Sequence, residues 1–285
     1  MAYGKISGFS DEMQVDLVTQ LETLKKLNVK YFDPRGIDGK GVITLSDDEL
    51  TSLKEKMDEY GIKASSIGSS IGKITLTEDF EEHFELFKRS VVAAKILDTK
   101  FIRIFSFYHD GDADVWTQEE RAQVISQLKR MIEYAKENDV ILLHENEKHI
   151  YGDTAERFLD LMKELYCENF KGVFDPANFV QSGQDTKEAY EMLKDYIVYM
   201  HIKDANKDDL VVVPAGVGDG NVEYVLKQLF DSGYDGFLTL EPHLANYECV
   251  ADTEKHGKDV EKLPIDVQKY IVAYDALCDI LDRVI

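Results

Sequence analysis

Glu145, Asp175, His201 and Glu241 stand at the ends of four short apolar runs, VILLHE, GVFD, IVYMHIK and FLTLE. Carboxylates and imidazoles are the groups that bind a hard divalent cation and move protons. Each run reads as a strand, and side chains alternate across a strand. Glu145 therefore shares a face with Leu143 and Ile141, Asp175 with Val173, His201 with Tyr199, and Glu241 with Thr239. If those faces line one interior, four ligand-type groups meet at one rim. Alone, the carboxylates there would repel one another and raise their own pKa values, and a divalent cation removes that repulsion. The oxygen-rich set suits Mn²⁺ first, with Mg²⁺, Co²⁺ or Zn²⁺ as alternatives, and is unlike a thiolate zinc site.

Proline adds a second observation. The chain has five, and three follow a strand-end acid: Asp33-Pro34, Asp175-Pro176 and Glu241-Pro242. A residue before proline is pushed into extended geometry, which holds the acid in line with its strand while the chain turns away. Proline is also a convenient strand terminator, so the pairs support a site without proving one.

Other groups fall near these ends. Lys203 shares the face of His201 one step nearer solvent, placed either to contact a substrate oxygen or phosphate or to pair with a neighbouring acid. Glu147 stands in the same relation to Glu145. Arg103, in the middle of FIRIF, is costly to bury unpaired and so reaches the carboxylates or snorkels outward. Asp33 and Arg35 end the second strand, as substrate groups or as a structural pair, and His109 and His149 sit in rim loops. His144 is adjacent to a ligand and points the other way, toward the helix layer. The loop AGVGDGNVE, residues 215–223, lacks dinucleotide-loop spacing and reads as a flexible turn bordering the pocket, with backbone N–H groups at the start of the next helix placed to receive a substrate anion.

The elements that must position these groups are legible as a rhythm. Eight runs, KISGF, VKYFD, IKASSIG, FIRIF, VILLHE, GVFD, IVYMHIK and FLTLE, alternate with amphipathic segments whose apolar residues recur every three or four positions. Eight such units in 285 residues predict an α/β fold, a (β/α)₈ TIM barrel, with an open doubly wound sheet as the competitor. No linker or low-complexity tract divides the chain, which predicts a single domain over residues 1–285.

Composition narrows the partners. With 33 Lys and Arg against 55 Asp and Glu, the formal charge of −22 repels nucleic acid and anionic membranes. Three scattered cysteines, a start without signal-peptide character and no apolar run of membrane-spanning length predict a cytoplasmic protein. The expected partner is a small molecule, with a homo-oligomer left open.

The segments ILLHENEKHIYGDT, GVFDPANF, YMHIKDANK, PAGVGDG and GYDGFLTLEPHL, in this order, resemble the sugar phosphate isomerase/epimerase family of the xylose isomerase-like TIM barrel superfamily. The resemblance covers the whole chain. It implies that Glu145, Asp175, His201 and Glu241 bind one divalent metal, and that Glu145 and Glu241 are the catalytic acid/base pair, moving a proton next to a carbonyl through an enediolate. The sequence departs from the ketohexose epimerases at Asn178, where they carry a histidine, and at Lys207, where they carry an arginine. With Arg103, Glu147 and Lys203, these two make up the expected substrate-binding set. Apurinic-site endonucleases share the superfamily, but the extra histidines of their trinuclear zinc sites are missing here. The expectation is a sugar or sugar phosphate isomerase or epimerase active in carbohydrate metabolism. The alternatives are an inosose-type dehydratase on the same apparatus and a non-catalytic sugar-binding barrel.

Overall fold

The computed structural model describes residues 5–111 and 115–285, so residues 1–4 and 112–114 of the expected domain lie outside the described residues. All eight expected runs form strands: β1 (Lys5–Gly8), β2 (Tyr31–Phe32), β3 (Lys63–Ala64), β4 (Phe101–Ile104), β5 (Ile141–Glu145), β6 (Phe170–Phe174), β7 (Ile197–Ile202) and β8 (Phe237–Leu240). Six make one parallel sheet in the order β1-β8-β7-β6-β5-β4, and β2 pairs with β3, also in parallel. Backbone hydrogen bonds join the remaining seams. Asp33 N donates to Gly8 O at 3.0 Å, and Arg103 N donates to Ile67 O at 3.0 Å. The result is the (β/α)₈ TIM barrel.

Helices follow the strands around the outside: α1 (Leu17–Lys26), α2 (Asp47–Tyr60), α3 (Phe80–Ile96), α4 (Gln118–Glu137), α5 (Ala155–Leu165), α6 (Pro176–Gln181), α7 (Thr186–Leu193), α8 (Val222–Asp231), α9 (Thr253–His256) and α10 (Ile265–Val284). Their starts are specified locally. Ser46 opens α2 and Thr117 opens α4, each exchanging hydrogen bonds with a glutamate three residues on, so that backbone N–H groups otherwise orphaned at a helix start are satisfied.

Alternation along the strands divides the core in two. Leu143, Val173 and Tyr199 pack inside the barrel with Phe101, Ile141 and Phe237. Their neighbours Ile102, Leu142, Phe174, Met200 and Leu238 face outward into the much larger core beneath the helices. This arrangement aims residues 103, 145, 175, 201 and 241 at the barrel axis, two positions beyond an interior residue. No helix among the described residues is long and apolar enough to cross a membrane, and all three cysteines are free.

Candidate metal centre

At the C-terminal mouth, Glu145, Asp175, His201 and Glu241 each offer a ligand atom, and these atoms lie within 4.8 Å of one another. All four side chains are buried. His201 Nδ1 is 3.1 Å from Glu145 Oε1, 3.1 Å from Glu241 Oε2 and 3.8 Å from Asp175 Oδ2.

Local structure fixes each group. Asp175 is extended (φ −113°, ψ 107°) and is followed by Pro176 at the first position of α6. Its Oδ1 accepts from Asn178 N at 2.8 Å, capping that helix, which leaves Oδ2 for the cluster. Asn146 clamps the same residue, donating from Nδ2 to Asp175 O at 3.0 Å and accepting from Asp175 N at 2.9 Å. Asn178 Nδ2 in turn donates to Asn146 O at 2.8 Å and to Glu145 Oε1 at 3.1 Å. The ends of β5 and β6, which carry two of the ligands, are thereby stitched by amides that do not titrate.

Glu145 Oε2, Asp175 Oδ2 and His201 Nδ1 are buried without a hydrogen-bond partner. Their neighbours within 3.3 Å are charged groups of the site itself, and one divalent cation would satisfy all three. The three-carboxylate, one-imidazole donor set therefore fits a hard or borderline ion.

Cations surround the cluster. Lys203 Nζ lies 2.9 Å from Asp175 Oδ2 and 3.2 Å from Glu241 Oε2. A guanidinium nitrogen of Arg103 lies 3.3 Å from Glu145 Oε2 and 3.8 Å from Glu241 Oε1, and one of Arg35 lies 3.4 Å from Glu241 Oε1. Burial raises the pKa of Glu145, but His201 and Arg103 outweigh it and hold the carboxyl down to about 2. Burial likewise opposes ionisation of Glu241, which Lys203 and His201 hold well below the usual range. For Asp175 burial wins over Lys203, and the pKa is raised. Burial works against the charged form of His201, yet the Glu145 charge and the nearby Asp175 and Glu241 carry it well above its ordinary value.

The match to known proteins follows this geometry. Residues 21–263 match the xylose isomerase-like TIM barrel family. The chain belongs to that family. Within the xylose isomerase-like barrels, it is 24% identical over 210 residues to 3-dehydroshikimate dehydratase of Bacillus anthracis, covering 68% of this chain and 72% of that one. It is 27% identical over 172 residues to inosose dehydratase of Clostridium perfringens, covering 52% of this chain and 58% of that protein. Among solved structures, the IOLI protein with a bound zinc atom superposes with a TM-score of 0.75 at 17% identity, covering 99% of each chain. Barrels of this fold include a D-psicose 3-epimerase as well as dehydratases.

The xylose isomerase-like barrel of this chain opens above the cluster into a pocket of about 370 Å³, lined among others by Arg103, Glu147, Asn178 and Lys203. Glu147 pairs there with Lys73 at 2.8 Å. Lys207 is not brought to the pocket. The chain after His201 turns into a short antiparallel ladder, Asp204–Ala205 with Val212–Val213, which carries Lys207 onto an exposed turn where its N–H donates to Asp219 Oδ2 at 2.8 Å. Asp33 and Arg35 do not pair with each other: Asp33 points down among interior hydroxyls, while Arg35 reaches up to Asp11, Glu12 and Glu241. His144 faces outward as expected, packed on Phe158 and Phe170, where burial lowers its pKa to about 3. His109 lies against Glu120 and Trp116, and His149 is exposed.

The glycine loop is organised by an acid of its own chain. Gly216, Gly218 and Gly220 donate their N–H groups to Asp204 at 2.9, 3.1 and 2.7 Å, which fixes the turn that leads into α8. Sequence reading also missed Asn146, Lys73 and Lys148. Asn146 lies between Glu145 and Glu147, and nothing in its spacing signals the clamp on Asp175. A second group, Glu12, Glu241 and His243, is close enough to share a cation, but Arg35 already bridges Glu12 and Glu241.

Proposed function

We propose that this chain is a divalent-metal-dependent lyase that dehydrates a small polyhydroxy carbonyl compound. The supporting observation is the buried pair Glu145 and Glu241, each 3.1 Å from His201 Nδ1, with Glu241 lining an open pocket. Glu145, Asp175, His201 and Glu241 would hold the cation, which when bound polarises the substrate carbonyl and acidifies the neighbouring C–H. A glutamate carboxylate takes that proton, and the electron pair forms a C=C bond as the C–O bond one carbon further on breaks. The same proton leaves with the departing hydroxide as water, so no other reactant is needed. Lys203, held protonated by Asp175 and Glu241 despite its burial, keeps a positive charge beside the site as negative charge develops on the substrate. The two dehydratases among the relatives support elimination over the isomerase or epimerase expected from sequence.

Epimerisation is the second reading, supported by two glutamates approaching His201 Nδ1 at equal distance, 3.1 Å each, so that two carboxylates flank one position. Mass spectrometry in D₂O on metal-loaded protein separates the readings, with 3-dehydroshikimate, inososes and ketohexoses as trial substrates. A lyase yields a product lighter by one water, an epimerase a deuterated isomer, and a binding barrel neither. Glu145→Gln and Glu241→Gln should each lower kcat by at least about 100-fold, and undiminished turnover in both would remove them from the mechanism.

A further inference from the structure

The pocket walls carry a charge opposite to that of the chain. Arg35, Lys73, Arg103, Lys148 and Lys203 face the pocket together with only two carboxylates, Glu147 and Glu241, in a protein of net charge −22. Five cations gathered in one concavity are not explained by solubility, which asks only for exposed charge. Three of them are committed to the floor: Arg35, Arg103 and Lys203 each contact a carboxylate of the ligand cluster. The other two stand higher. Lys73 is fixed between Glu147 and the Phe105 ring, whose centroid is 4.3 Å from its Nζ. Lys148 Nζ meets Gln181 Oε1 at 2.9 Å, a neutral amide oxygen, and no carboxylate pairs with it among the described residues. Gln181 is itself held through Nε2, which donates to Leu210 O at 2.8 Å, so the Lys148 ammonium is positioned but not neutralised. A divalent ion on the cluster would offset two of the three carboxylate charges that hold it, leaving less negative charge beneath the pocket. A neutral sugar needs no such field.

The geometry points to an anionic substrate, whose carboxylate or phosphate is held at the pocket mouth by Lys148 with Lys73 while its carbonyl end lies over Glu145, Asp175, His201 and Glu241. The pocket volume of about 370 Å³ is near the lower end of small-molecule sites, so the anionic group belongs to a compact compound. The inference rests on the pocket being the substrate site of the proposed reaction, and it specifies what that substrate must carry.

The test uses the full chain at saturating Mn²⁺ and three probes that share one hexose skeleton: glucose, glucuronate and glucose 6-phosphate. Calorimetry at low ionic strength should find at least one anion bound about tenfold or more tightly than glucose, and whichever it is identifies carboxylate or phosphate as the preferred group. Lys148→Met should weaken that anion about tenfold and glucose less than twofold, Lys148→Arg should restore most of the difference, and Lys73→Met provides an independent variant. Equal binding of the three probes, no binding of any, or an equal loss for glucose and the anion in Lys148→Met would overturn the inference. Deuterium exchange on the same samples separates this from the reaction itself. Anion preference without exchange in any trial substrate would sink the proton-transfer reading alone, and exchange on neutral sugars untouched by Lys148→Met would sink the anion site alone.

Discussion

Asp33 accepts hydrogen bonds from five hydroxyls: Ser7 on β1, Ser65 and Ser66 just after β3, Tyr199 on β7 and Thr239 on β8. Tyr199 and Thr239 lie two residues before His201 and Glu241 on the same faces, so this buried carboxylate ties together the strands that carry two of the cluster's residues. Asp33→Ala would remove the acceptor these hydroxyls share and leave a buried cavity, and should cost at least about 3 kcal/mol in urea unfolding; a cost under about 1 kcal/mol would contradict the role. Asp175 shares the Phe-Asp-Pro context of Asp33 but sends one oxygen to a helix cap and the other to the cluster. Sequence marked Asp175 as a ligand but left Asp33 open between a substrate group and a partner for Arg35, because the hydroxyls around Asp33 are scattered over the chain without a local spacing. Glu145 gives a pH prediction. Its folded value of about 2 lies below the ordinary 4.5, so its stabilisation is complete above that ordinary value and is lost as pH falls toward 2. The melting temperature should fall across that acid window, and Glu145→Gln should flatten the fall.

Loops and helix starts carry their own instructions. Asp204 organises the segment before α8 by accepting three glycine N–H groups, and a Cβ on Gly218 would lie 2.6 Å from Ala205 O. In Asp204→Ala, hydrogen exchange at the amides of Gly216, Gly218 and Gly220 should accelerate by at least about tenfold while the β7 amides stay protected. Unchanged protection would mean that another group holds the loop. Ser46→Ala removes one half of the capping box of α2 and should cost about 1 kcal/mol. At this scale the strands were readable, because each buries alternate residues on two different cores and the pattern repeats eight times. The Asp204 loop was not, since its carboxylate precedes the glycines by more than a turn of any regular element and the same glycines suit an external anion equally well. Lys207 was named from the resemblance, and no sequence pattern announced that the chain after His201 reverses into the Asp204–Ala205 ladder and carries that lysine onto an exposed turn.

The barrel brings four ligand groups from four strands together in one place, and that makes stability depend on the cation. An ion that binds only the folded chain stabilises it by mass action, about 2.7 kcal/mol at one hundred times its dissociation constant. Adding Mn²⁺ to chelator-stripped protein should raise the melting temperature by about 5 °C, and Asp175→Asn should abolish the rise. The zinc-bound IOLI protein, at 17% identity, superposes over 99% of the chain, which shows how little sequence the scaffold demands. The most direct test of the account is a calorimetric titration of the stripped protein with Mn²⁺. The account predicts one ion per chain, with affinity reduced at least about a hundredfold in Asp175→Asn and in His201→Asn, beyond the effect of losing an outer partner. No stoichiometric binding, or binding unchanged in both variants, would contradict it.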